Sequence, residues 1–379
     1  MATPSSRSIN YDAVLSLCLE YTKDDLVDNI FTSAPFLSAL YGAFGTKKRA
    51  GKGIRMQNGG ERVRVPIMYG KNSTVGSYAG YDTLDVTPQD GITTAFFDWR
   101  QIAGSIAISR KEERQNAGST AIRDLLQAKI DQLKFTLRDE INNQVIGKTV
   151  ASSVWSAGAG IGNQTANADI DPLLAFISKD PSQSVSIGNI NKNTYSWWRT
   201  ISVDGSAAHG AKDANANRGF NCNSFVNLKA AARWLYNSLS RGGGGAPDIG
   251  LMDQMCFESY EASLDDKTRY MNDTSGPVTL GFDAIKFKNQ DLIWDEMVPD
   301  VDGGLTYDSA SWGTSTWMMI NTNFMELVVD SGTDFITTPF MRPENQDAKV
   351  AQILAMMNLT CSNLRKQGMI YGITAGITS

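Results

Sequence analysis

Apolar residues recur at steps of three and four along one long stretch of the chain. Ile122, Leu126, Ile130, Leu133, Leu137, Ile141 and Val145 fall on one side of a helix predicted over 119–146, and Leu125 and Ile146 widen the stripe. Arg123, Asp124, Lys129, Asp131, Lys134, Arg138, Asp139 and Glu140 supply the wet side. Ser119 or Thr120 offers a hydroxyl cap at the start, and Gly147 offers a left-handed stop at the end. At 1.5 Å per residue such a helix is roughly 42 Å long, the length of a beam crossing an extended molecule.

The period changes to two before this helix. In 61–69, Val63, Val65 and Ile67 alternate with Arg62, Arg64 and Pro66, and 93–109 reads as a second, longer strand. Between them lies a Gly-, Asn-, Ser-, Tyr- and Asp-rich tip at 70–91. The pattern predicts an extended β-hairpin, which as an isolated two-stranded ribbon is marginal in water. Its aromatic residues Tyr69, Tyr78, Tyr81, Phe96, Phe97 and Trp99, with Arg62, Arg64 and Lys71, are the expected contacts to a second surface. A neighbouring subunit is the natural candidate for that surface; the alternative is a hairpin folded back on its own domain.

Residues 1–50 give three helical pieces at 11–20, 24–31 and 35–41, each too short to hold itself in water. The stretch 47–64 is locally basic and reads either as a solvated hinge or as a contact for an acidic partner or packaged nucleic acid. After the long helix, 151–219 is Gly- and Asn-rich, with a short helix at 172–177 and the Trp197-Trp198 pair. A helix at 223–239, a buried strand at 247–252 and a helix at 253–264 form an α/β unit. Strands return at 284–288, 292–295, 316–320 and 325–329. The stretch 347–361 has helical composition but is read as a strand, and 369–373 is a short last strand.

Composition narrows the class. With 379 residues and a net charge of −5, the chain can bury a sizeable core and carries no global field that would draw a nucleic-acid backbone. Cys18, Cys222, Cys256 and Cys361 are far apart and read as reduced, partly buried thiols rather than a disulfide frame. No signal peptide and no bilayer-spanning apolar run is expected.

No catalytic, cofactor or metal constellation emerges. His209 is the one histidine and stands in a Gly/Ala/Asn loop without partners for a triad. Gly147-Lys148-Thr149 resembles the end of a phosphate loop, but Asn142 stands where the first glycine belongs and a helix precedes it. Gly158, Gly160 and Gly162 lack dinucleotide-loop spacing, and Asp300, Asp302 and Asp308 lack the glycine and terminal Glu of a calcium loop. Asp265-Asp266 and Glu112-Glu113 are adjacent pairs whose side chains diverge in regular structure.

The order of parts carries a resemblance that no single motif does. APFLSAL at 34–40, RVRVPI at 62–67, GYDTLD at 80–85, SRKEE at 109–113, NTYSWWR at 193–199, PDIGLM at 247–252 and MMIN at 318–321 follow one another along most of the chain. Taken together the chain resembles the major capsid (coat) proteins of tailed bacteriophages, whose fold is shared by encapsulins. The resemblance implies an α+β phage major-capsid fold with an N-terminal arm (1–50), an extended loop (51–108), a peripheral domain (109–154 and 281–345) containing the spine helix, and an axial domain (155–280). Residues 346–379 are C-terminal strands without assignment. It further implies a non-enzymatic structural protein without cofactors that self-assembles as pentamers and hexamers into an icosahedral shell around double-stranded DNA. The shell would assemble in the host bacterial cytoplasm and be part of the virion. Implied partners are further copies of the chain, a separate scaffolding protein, a portal protein and a decoration protein, with no membrane and no sequence-specific DNA contact. The alternative is an encapsulin-like compartment around an enzyme cargo.

Overall fold

The computed structural model describes residues 36–37, 53–115, 125–147, 169–182, 184–212, 217–264, 285–298, 306–307, 310–311, 315–344 and 346–373. In chain order the elements begin with β1 (Gly53–Gln57), β2 (Val63–Met68), β3 (Ile92–Phe97), β4 (Arg100–Ser109), α1 (Arg110–Gln115), α2 (Leu125–Ile146) and α3 (Leu173–Phe176). They continue through β5 (Ser186–Ile187), β6 (Ile190–Asn191), β7 (Ile201–Asp204), β8 (Arg218–Gly219), α4 (Phe225–Leu239), β9 (Ile249–Met252) and α5 (Gln254–Ala262). The last are β10 (Ile285–Phe287), β11 (Gln290–Trp294), β12 (Thr306–Tyr307), β13 (Ala310–Ser311), β14 (Ser315–Ile320), β15 (Met325–Asp330), β16 (Ile336–Thr337), β17 (Ala348–Cys361) and β18 (Gly368–Ile373).

Two sheets organise these elements. In the first, β17 is the long strand. One edge pairs with β4 over Ala348↔Ser109 to Met357↔Arg100; the other pairs with β15 and then β16. β1 adds in parallel to β15. The second sheet runs β10-β11-β9-β14-β18-β7-β8. Alternation along β14 divides its faces: Trp317 and Met319 pack with α4 and α5, and Met318 and Ile320 join the larger core shared with the first sheet. The chain passes directly between the sheets from β14 to β15 and from β17 to β18. Buried Asn321 and Gln367 clamp the two crossings, Asn321 N–H donating to Gln367 Oε1 (2.8 Å) and Gln367 Nε2 donating to Asn321 O (3.0 Å).

Capping chemistry places the helices. Ser109 and Glu112 form a reciprocal capping box on α1. Ser224 caps α4, and Asp253 caps α5 while also accepting from the Thr316 N–H of β14. The α2 helix ends at Ile146 as the stripe predicts, with Gly147 at φ +101°. It packs on β4, where a Cβ at Gly104 would stand 2.7 Å from Leu133 Cδ1, so any larger residue there would make Leu133 shift. Burial is uneven along the stripe: Leu137, Ile141, Val145 and Ile146 are in the core, whereas Ile130 and Leu133 are half-buried and Phe135 is exposed. Asn142, on the same helix, is enclosed and donates to both oxygens of Asp295 beyond β11 (3.3 Å each).

Several expectations change. The strand read over 93–109 is two strands: β3 belongs to the ribbon, Asp98 and Trp99 break it, and β4 belongs to β17. Part of the basic stretch is strand β1 rather than hinge, with Arg55 3.8 Å from Glu326. The grouping of 281–345 with the spine helix is divided, because β10, β11 and β14 lie in the sheet of β9 and only β15 and β16 lie in the sheet of β4. The strand reading of 347–361 stands as β17. Of the three arm helices only Phe36 and Leu37 are described, helical and buried in the larger core; the others, the 119–124 start of the long helix, and the Asp300, Asp302 and Asp308 group lie outside the described residues.

Two predictions follow from this packing. Ile141→Ala is expected to cost about 2–5 kcal/mol in urea unfolding and Ile130→Ala less than half as much, since only the first empties a closed site; equal costs would contradict the burial gradient. Burial lifts the Asp295 carboxyl from 3.8 to about 6, opposed by the Met297 N–H and the Asn142 amide, and burial lifts Asp253 to about 6 as well. The folded chain therefore holds protons between these values that the unfolded chain releases. The resulting stability is present at low pH and is lost as pH rises through about 6. The unfolding free energy at pH 5 should exceed that at pH 7.5, and Asp295→Asn should shrink the difference by about 1.4 kcal/mol. An unchanged difference in that variant would refute the assignment.

Candidate assembly surface

The ribbon β2–β3 is built by parity. Its register pairs Val63 with Phe97, Val65 with Ala95 and Ile67 with Thr93, so one face carries Val63, Val65, Ile67, Ala95 and Phe97, all buried. That face lies on the chain's own segment 170–198. Phe97 packs on Phe176 with ring centroids 6.0 Å apart, and the Phe96 N–H donates to Gly188 O (3.1 Å). Gly188 sits at φ +60° with room for no Cβ, which would lie 2.7 Å from that of Ala95. Tyr69 stacks on Trp197 (5.0 Å, 14°), and Trp198 Nε1 donates to Ile187 O (3.1 Å). The base of the ribbon is thus completed within one subunit, which corrects the expectation that the whole hairpin lies over a neighbour.

The tip behaves differently. Gly70 and Gly91 meet at its neck, where the Tyr69 N–H donates to Gly91 O (2.9 Å), and beyond them 71–90 contains no strand. Local side-chain bonds shape it: Asn72 Oδ1 accepts from the Thr74 N–H, Asp85 Oδ1 from the Thr87 N–H, and Ser73 donates to Gln89. The Thr87 hydroxyl and N–H hold the Asp85 carboxyl below its ordinary range. Val75, Tyr78, Tyr81, Leu84 and Val86 all point into solvent, Val86 at 90% and Tyr81 at 105% exposure. Three carboxylates, Asp82, Asp85 and Asp90, face one lysine, Lys71.

The residues singled out from the sequence therefore separate. Tyr78, Tyr81 and Lys71 are on the open tip. Arg62 is tied to Asp98 (3.0 Å), and the Arg64 guanidinium lies over the Phe96 ring (5.8 Å). Trp99 donates to Gly60 O (2.9 Å) and is half-buried against the core, and Phe97 is fully enclosed, so Phe97 has no free surface for a neighbour. A second exposed apolar group was missed: Phe335, Ile336, Phe340 and Met341, on the turn between β15 and β17, beside Arg342 and Asp347. Its signal was two apolar pairs, Phe335-Ile336 and Phe340-Met341, separated by Thr337, Thr338 and Pro339. Among the described residues no cluster of His, Cys, Asp or Glu could hold a metal ion, and no helix is long and apolar enough to cross a membrane. His209 stands edge-on to Phe220 (5.0 Å), and Cys222, Cys256 and Cys361 are buried free thiols.

No family model and no curated protein matches the chain. Solved structures do. The capsid of cyanophage A-1(L) matches with a TM-score of 0.59 at 15% identity, covering 94% of this chain and 97% of that one. The SrpI encapsulin of Synechococcus elongatus matches with 0.54 at 8% identity, covering 100% and 98%. The capsid of the Myoviridae phage XM1 matches with 0.50 at 12% identity, covering 98% and 99%. The chain has the α+β fold of phage capsid proteins.

The different burial of base and tip sets a prediction. Replacing 71–90 by Asn-Gly, which closes the neck between Gly70 and Gly91, should leave thermal stability unchanged and abolish self-association. Removing the whole ribbon should unfold the chain, because its base is core. A tip deletion that still associates like the intact chain would exclude the tip as a contact.

Proposed function

We propose that this chain is the major capsid protein of a tailed double-stranded DNA phage. Its copies form pentamers and hexamers that close into an icosahedral shell. The observation that carries this reading is the tip: a narrow projection with five solvent-facing apolar side chains, on a chain whose fold matches shell-forming proteins along nearly its whole length. A monomer gains nothing from holding such groups in water, and a neighbouring copy would cover them. The contact is heterologous, tip against a different patch, and such contacts build rings where the rotation closes.

In this reading Tyr78, Tyr81 and Lys71, with Val75, Leu84 and Val86, meet the adjacent subunit. The work of the molecule is mechanical, without cofactor or catalysis. A separate scaffolding protein, a portal protein and a decoration protein are the proposed partners, and assembly takes place in the host bacterial cytoplasm. Similarity to an encapsulin supports a second reading, a shell of the same build around a protein cargo.

Electron microscopy of the expressed full chain tests the first claim: closed, angular particles are expected, and only monomers at high concentration would overturn it. Particles isolated from the native source discriminate the two readings. Nuclease-resistant duplex DNA inside supports the capsid, and a single co-purifying enzyme with no DNA supports the compartment. Tyr78→Asp with Tyr81→Asp should keep the subunit folded and prevent closure.

A further inference from the structure

The outer face of α4 is a cationic strip without acids. Residues 217–247 contain Arg218, Lys229, Arg233 and Arg241 and no aspartate or glutamate, in a chain of net charge −5. Arg233 and Arg241 stand two turns apart on the exposed side of the helix and its C-terminal extension, with Lys229 on one flank. Lys288, from the β10–β11 turn, adds a fifth cation beside them, its ammonium donating to Asn237 (2.7 Å) and lying over the Tyr236 ring (4.5 Å). Arg218 closes the other flank, stacked over Phe220 (5.3 Å) and Trp234 (5.5 Å). Lys229 to Arg241 spans roughly 18 Å of helix.

None of these five cations makes an ion pair among the described residues. The acids around them are engaged elsewhere or apart: Glu258 accepts from Gln254, Asp291 pairs with Lys286, Asp204 accepts from Ser206, and Glu261 forms no ion pair with them. Burial, and then the nearby Arg233 charge, pull the Lys288 ammonium below its ordinary range. The basic stretch noted at 47–64 differs in that two of its three described cations, Arg55 and Arg62, are ion-paired, and only Arg64, over the Phe96 ring, is not.

We infer that this face of α4 binds the phosphate backbone of double-stranded nucleic acid without regard to sequence, and is the wall that an enclosed duplex meets. Aromatic groups on the strip favour a duplex over a single strand: Trp234 is covered by Arg218 and Phe220, so no ring is open for a base to stack on. Cations held by stacking and by Asn237 are preset in place, and phosphate contacts from such groups carry position and affinity but no base readout. The inference rests on the capsid reading above.

The test uses the full-length protein, as dissociated subunits and as intact particles, with a random 30-base-pair duplex as probe in fluorescence anisotropy. Dissociated subunits should bind, and the affinity should fall roughly 500-fold between 50 and 200 mM salt if five phosphates are neutralised. Arg233→Gln with Arg241→Gln should reduce that fall to roughly 40-fold, with closed particles still formed. Intact particles should not bind added duplex. Four results would each overturn the inference: no binding by subunits, a salt dependence unchanged in the double variant, binding to the outside of intact particles, or displacement by polyglutamate as effective as by duplex at equal charge. Failure of the wild-type chain to form particles would instead overturn the capsid reading, so the two claims fail separately.

Discussion

The pairing of β17 with β4 determines where everything else goes. Ten consecutive residue pairs join a strand near the end of the chain to one near its beginning. At the end of that ladder Arg100 reaches Asp171 (3.3 Å), and Asn358 donates to the same carboxylate (2.9 Å) and to Asp98 O (2.7 Å). All of Arg100, Asp171 and Asn358 are buried. A buried ion pair of this kind adds little net stability, yet removing one partner strands a charge, so it fixes register more than it adds strength. Because β4 is held by β17, the chain must turn at Asp98 and Trp99. β3 is then left to pair with β2 alone, outside both sheets.

That geometry makes the ribbon depend on what lies against its faces. Hydrogen bonds between two strands do not hold a ribbon in water; covering one apolar face does. The segment 170–198 supplies that cover at the base through Phe176, Gly188 and Trp197. Past Gly70 and Gly91 the cover stops, but the apolar side chains do not. Each such side chain gains about 1.5–3 kcal/mol when fully buried, so five of them are a substantial source of association energy even after the entropic cost of docking. The Asx-type bonds at Asn72 and Asp85 order part of the tip before any partner arrives, which lowers that cost.

Periodicity made most elements legible and left their partners hidden. The beam, α4, α5, β9, β14 and β17 were all readable, because each carries a long run of one period or a capping residue at its edge. The break at Asp98 and Trp99 was not, since its only local sign is a change of inward parity, from Ala95 and Phe97 to Ile106 and Ile108, and the competing partner, β17, is some 250 positions away. The stretch that holds β1 was read as a hinge or a partner contact because its cations outnumber its one local acid; the counter-charge of Arg55, Glu326, is supplied by another part of the chain. Phe97 was recoverable: parity places it on the face of Val63, its cross-strand partner, and hence inward. Tyr78 and Tyr81, read from the sequence as contacts to a second surface, are exposed in the subunit, because no pattern near them offers a face to hide behind.

Charge shows the same limit from the other direction. A net charge of −5 suggests indifference to polyanions, but screening confines each charge to a radius of about 8–10 Å, so what a ligand meets is the local balance. Arg62 counts as basic in the sequence and is neutralised by Asp98 in the fold. Arg233 and Arg241, in a stretch never marked as basic, make no ion pair among the described residues, and 217–247 itself holds no acid. The informative quantity is therefore not how many cations a segment holds but how many remain unpaired once the sheets have formed. On that measure α4 presents a cationic face among the described residues, and the tip, with three carboxylates and one lysine, presents an acidic one. A single polypeptide thus presents an apolar acidic projection and a polar cationic face, two surfaces that suit different partners.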